Sequence, residues 1–244
     1  MLSSGRLPPV ASGFSQFMAV PSIGKQVDSK IEKEIREGKT DPYDSHPPLR
    51  DRITAAQGLP GRSQVDDNQS AWSLLNDGGT TELAFLHAVN PDMPKDALKP
   101  AAWEEQASAV LIPAWAGFVS EHSGLLQGMT VENLFDSLGK IPAIAPQIRD
   151  PEGMLLTPEQ RVQRARSLLS TAVALALVNH GWRLHAGPGE LYLDRDGEQV
   201  DPFKVVGQLS DGTVSKQAWA ETCTKMKLDA IPLAVTQKNP PTAN

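Results

Sequence analysis

His46 is held by its neighbours more firmly than a surface histidine requires. It stands in the run Asp41-Pro42-Tyr43-Asp44-Ser45-His46-Pro47-Pro48-Leu49-Arg50-Asp51-Arg52-Ile53. Pro47 biases His46 away from the helical region, and Pro47-Pro48 fixes two successive φ angles, so the imidazole sits on a stiff, extended pedestal. A helix can begin directly afterwards, because the amides of a first turn have no intrahelical partner and proline is tolerated there. Leu49 and Ile53, four apart, give that helix an apolar face, and Arg50 and Arg52 point elsewhere. An imidazole and two guanidiniums are donors for a developing negative charge, and rigid donors lose little reorganisation energy when the charge appears. The competing reading is a loop entering a surface helix. In it His46 is solvated or capping, and Arg50 or Arg52 pairs with Asp41, Asp44 or Asp51.

Other chemistries are poorly provided for. A zinc peptidase helix of the His-Glu-x-x-His type needs two histidines one turn apart with a glutamate between them. The five histidines are 46, 87, 122, 180 and 185, and none is followed four residues later by another. His180 and His185 have Gly181 between them, and Glu121-His122 has no partner histidine nearby. No metal ligands and no cofactor are therefore assigned to this chain. Ser120-Glu121-His122 offers the residue types of a hydrolase, but no Gly-x-Ser-x-Gly elbow accompanies it. Gly187-Pro188-Gly189 is not followed by the Lys-Ser/Thr of a phosphate loop and reads as a turn. Cys223, the single cysteine, lies in a helix-like run and reads as a small buried hydrophobe.

The string from Asp41 to Ile53 resembles the closing motif of the HtpX-like zinc metallopeptidases, the gluzincins related to the CAAX prenyl endopeptidases, in which Ser/Thr-His-Pro-Pro and a following Arg-Ile/Leu end the catalytic domain. Leu7-Pro8-Pro9-Val10-Ala11-Ser12-Gly13-Phe14 and the run to Gly38 are similar to what leads into that motif. The resemblance is specific over about residues 1 to 57 and concerns only general layout beyond. It implies a chain that is the C-terminal part of a membrane-associated zinc metalloendopeptidase. Zinc, its ligands and the membrane helices or signal region would belong to an N-terminal half not represented here. The implied partners are that half and protein or peptide substrates. His46 would be an accessory donor to the oxyanion in the complete enzyme only, with Arg50 or Arg52 assisting. This chain alone is expected to bind no zinc and to cleave no peptide.

The net charge of −6 and pI near 5.4 argue against a nucleic-acid partner. The best apolar runs, Ala107 to Val119 and Leu168 to Val178, fall short of the roughly 20 residues of a membrane span. No basic segment followed by an apolar core opens the sequence, so no signal peptide is expected and the chain is read as soluble.

The elements follow from periodicity and punctuation. Residues 1 to 13 read as an irregular lead-in. Apolar residues at 14, 17 and 18, then at 23, 27, 31 and 35, predict a helical stripe to Arg36, divided at Pro21 and stopped at Gly38, with Lys30, Glu32, Lys33, Glu34 and Arg36 on the solvated face. Gly58-Leu59-Pro60-Gly61 ends the helix after Pro48, and 61–70 reads as a linker. Thr80 or Thr81 is expected to cap a helix to Val89. A longer helical run, Trp103 to Glu121, is expected to break near Pro113. Thr130 is expected to cap a helix over 131–138, followed by a proline-rich connection from Pro142 to Pro151. Thr157-Pro158-Glu159-Gln160 predicts a capping box opening a helix to about Asn179, apolar nearly all round in its second half and hence buried. Alternation from Trp182 and the Asp196-Gly197 pair predict a hairpin. Residues 202–206 read as an edge strand or short helix. Ser215 should cap a last helix, and the tail from Thr236 has a disordered composition.

The expected fold is mostly α, α+β overall. A peptidase-domain tail spans 1–60, a helical region 61–150, a small α+β domain 151–235, and a tail 236–244. The alternative function is a non-enzymatic domain that recruits substrates or partners.

Overall fold

The computed structural model describes residues 4–39, 46–59, 71–94, 96–151 and 154–234. The expectations for Asp41 and Asp44, for the 61–70 linker and for the tail after Thr236 fall outside these residues. The described residues are mostly helical, 62%, with a small antiparallel three-stranded sheet. Among the described residues no helix is long and apolar enough to cross a membrane. Contacts divide the chain into two compact units, Met1–Trp103 with Gly187–Glu190, and Glu104–Ala186 with Leu191–Asn244.

In the first unit, strand β1 (Arg6–Leu7) pairs in parallel with β2 (Lys99–Pro100). Helix α1 (Val10–Ala19) begins at Val10, four residues before the first apolar position that the stripe marks. Pro9 at its N-cap has no side-chain oxygen to offer the first-turn amides. Glu82 of α4 (Gly78–Val89) supplies it, accepting from the amides of Val10 at 3.1 Å and Ala11 at 2.7 Å. A carboxylate at a helix N-terminus is favoured both by those bonds and by the dipole. Helix α2 (Pro21–Glu37) opens on Pro21 and ends at Gly38, as the punctuation predicts. Helix α3 (Leu49–Gln57) follows the proline pair. Asp77, not Thr80 or Thr81, caps α4, accepting from Thr80 N at 3.0 Å. Both threonines lie inside the first turn, where Thr80 Oγ1 donates to Asp77 Oδ2 at 2.6 Å and Thr81 Oγ1 to Asp77 O at 2.8 Å.

This unit has almost no interior. Among its described residues only Pro8, Gly13, Pro48 and Ala101 are buried. Val10, Phe14 and Met18 form a solvent-facing apolar stripe on α1, with Phe14 65% exposed, and Phe85 and Val89 form another on α4. Gly13 is buried beneath Trp103, whose Nε1 donates to the Pro9 carbonyl at 3.0 Å. A Cβ added at Gly13 would lie 2.5 Å from Trp103 Cζ2.

The second unit is built around one long helix. A 3-10 turn (Trp103–Glu105) straddles the boundary between the units, and a π turn (Ala107–Leu111) leads into α5 (Ile112–Glu121), where Ile112 N bonds Ala107 O. Pro113 lacks the amide that would continue an α ladder, and the widened turn absorbs the break. Helices α6 (Leu134–Leu138) and α7 (Ile141–Ile144) follow. Thr130 Oγ accepts from Asn133 N, but the chain becomes helical only at Leu134. The stretch from Pro142, expected as a connection, is helical as far as Gln147, which prolines at 142 and 146 permit because each occupies a first-turn position.

Helix α8 (Pro158–Asn179) carries the predicted capping box: Thr157 Oγ accepts from Gln160 N and Gln160 Oε1 accepts from Thr157 N. Strands β3 (Arg183–Gly187), β4 (Glu190–Arg195) and β5 (Glu198–Val200) form the sheet in that order. The β4–β5 turn is Asp196-Gly197, with φ of 53° and 84°, the left-handed pair that the dipeptide predicts. Residues 202–206, read as edge strand or short helix, are the start of helix α9 (Pro202–Asp211), capped by Asp201. Helix α10 (Lys216–Met226) is capped by Ser215. Helix α8 packs on α5, α7 and α9, and its buried face shares one core with Trp182, Leu184, Leu193, Val206 and Trp219. Arg195, stacked over Trp182 at 4.8 Å, donates to His180 O at 3.1 Å and Met226 O at 2.9 Å. One cation thus satisfies carbonyls at the C-termini of both α8 and α10.

Two substitutions test this packing. Ala174 is fully buried on α8. Ala174→Asp places an unpaired charge there and should cost at least about 3 kcal/mol, read by denaturant unfolding; a variant that unfolds with the parent contradicts the burial. Gly13→Ala should destabilise the first unit by about 1–3 kcal/mol through overpacking. It should also red-shift the Trp103 fluorescence as the indole is displaced, and an unchanged spectrum contradicts the Gly13–Trp103 contact.

Candidate functional site

The pedestal has the expected form. Pro48 is buried, with φ −49° and ψ 147°, and serves as the N-cap of α3, its carbonyl accepting from Asp51 N at 2.9 Å and Arg52 N at 3.2 Å. Leu49 and Ile53 are half-buried. His46, Arg50 and Arg52 are all exposed, so water screens their charges in this chain and no desolvated pocket strengthens them. Arg50 Nε donates to Asp51 Oδ1 at 3.3 Å, the neighbour pairing anticipated for one of the two arginines.

Arg50 also lines a solvent-open cleft of about 690 Å³ with Arg36, Glu37, Gly38 and Lys39. It is formed where α2 ends and α3 begins. Arg36 Nη2 pairs with Glu37 Oε1 at 2.9 Å. Arg36 was not distinguishable in sequence from the rest of the solvated face of α2, and Lys39, just past the Gly38 stop, carried no signal of its own. Only the return of the chain at α3 sets Arg50 beside them.

A second polar constellation lies on the sheet. Asp194 of β4 accepts from Arg183 Nε and Nη2, both at 3.2 Å, and from His185 at 2.5 Å. A carboxylate only accepts here, so His185 Nε2 carries its proton toward Asp194, and the 3.1 Å approach of Arg183 Nε to the same nitrogen is a packing contact. The His185 ring stacks on Tyr192 at 4.8 Å and 15°. The Arg183 guanidinium, with His185 assisting, holds the Asp194 carboxyl below its ordinary range against the cost of desolvation, and the same pair raises Arg183. Alternation of Arg183-x-His185 and Tyr192-x-Asp194 about the Pro188-Gly189 turn is the sequence signal for this cluster. It is a cross-strand ladder of opposite charges and stacked rings, which stabilises a hairpin.

The remaining candidates are structural. His122 is 3% exposed, with Nδ1 2.9 Å from Phe118 O and Nε2 accepting from Arg149 N at 3.2 Å. Both ring nitrogens are engaged with the backbone, so this imidazole cannot act as the base of a Ser120-Glu121-His122 hydrolase. His180 Nδ1 donates to Ala176 O at 2.7 Å, closing the end of α8. Cys223 is fully buried and burial pushes its thiol up to about 12, which removes the thiolate needed for nucleophilic chemistry. Among the described residues no three His, Cys, Asp or Glu side chains converge as metal ligands.

Comparison with protein-family models, with curated proteins and with solved structures gave no match.

Asp194 gives a pH prediction. Its carboxyl titrates lower in the folded chain than in the unfolded one, so its stabilisation is complete above the ordinary carboxylate pKa of about 4 and is lost as pH falls through the lowered value. Asp194→Asn should lower the melting temperature near neutral pH and flatten its decline in acid. An acid limb identical to the parent's contradicts the assignment.

Proposed function

We propose that this chain is the C-terminal part of a membrane-associated zinc metalloendopeptidase of the HtpX-like type. Its first unit closes the catalytic domain, and zinc is held by residues of another half. The observation that carries the reading is the first unit's want of an interior. A unit that among its described residues buries only Pro8, Gly13, Pro48 and Ala101 and turns Val10, Phe14, Met18, Phe85 and Val89 to water has the surface of a piece cut from a larger core. The motif residues agree with it. Pro48 is buried and caps α3, and His46 and Arg50 stand outward, where an opposing catalytic half would meet them. In that complete enzyme His46 donates to the oxyanion of a protein or peptide substrate, with Arg50 or Arg52 assisting.

A second reading applies to the other unit. Residues 104–234 serve as a substrate- or partner-recruiting domain. The closed core around α8 supports this, and Leu155, 88% exposed beside Met154, is an apolar contact such a domain would offer.

The test has two arms. Codons for His-Glu-x-x-His should lie in frame upstream of Met1. In the protein encoded by that longer frame, His46→Ala should retain zinc and melting temperature and lose roughly a hundred- to a thousandfold in turnover. Unchanged turnover reduces His46 to a loop residue, and an upstream frame without the zinc helix removes the family reading.

A further inference from the structure

We draw no further inference here: the strongest candidate, the side-chain cluster of Arg183, His185, Tyr192 and Asp194 on the β3–β4 hairpin, belongs to the cross-strand ladder already described, and nothing among the described residues points to a ligand for it.

Discussion

Helix α8 takes eleven residues between Ala165 and Leu177 out of water, and the rest of the second unit is arranged to make that possible. A helix buried on all sides must be covered on all sides, which is why α5, α7, α9 and the hairpin converge on it. Alanines at 165, 172, 174 and 176 let those neighbours approach closely, and the leucines and valines between them fill the remaining volume at interior density. At about 0.8 kcal/mol per buried methylene, this helix supplies a large share of the unit's driving force. Its ends are then the expensive points, since backbone groups there lack partners. The capping box at Thr157 and Gln160 answers the N-terminus, and His180 with Arg195 answers the C-terminus.

Among its described residues the first unit has no counterpart to α8. Its helices carry regular apolar stripes, but the stripes meet no second layer. Ile23, Val27 and Ile35 of α2 are half-buried and Ile31 is exposed. Order there comes from point contacts: Glu82 on the start of α1, Trp103 on Gly13 and Pro9, the short β1–β2 pairing. Such contacts fix direction but remove little apolar surface from water. This imbalance is the physical ground for reading the first unit as one part of a larger domain, and the exposed His46, Arg50 and Arg52 acquire a chemical use only if a second surface desolvates them.

The elements legible in the sequence were those decided by near neighbours. Thr157-Pro158-Glu159-Gln160, Asp196-Gly197, Ser215, Pro21 and Pro47-Pro48 all act within a few residues, and each does in the fold what its chemistry dictates. The elements that were not legible depend on distant partners. Helix α1 starts early because Glu82, remote in sequence, caps it. The turns after Pro142 are helical because they pack on α8. Asp194 meets Arg183 and His185 only once the hairpin register is set, and His122 finds Arg149 only across the α5–α7 excursion. The cleft beside Arg50 likewise needs the chain to return on α2.

Hydrogen exchange of the isolated chain under native conditions tests the contrast between the two units most directly. The account predicts that amides from Leu168 to Leu177 exchange only through global unfolding of their unit, and that those of α1 and α2 exchange through far cheaper local opening. Equal protection in α1, α2 and α8 would contradict it, since the first unit would then hold an interior of its own.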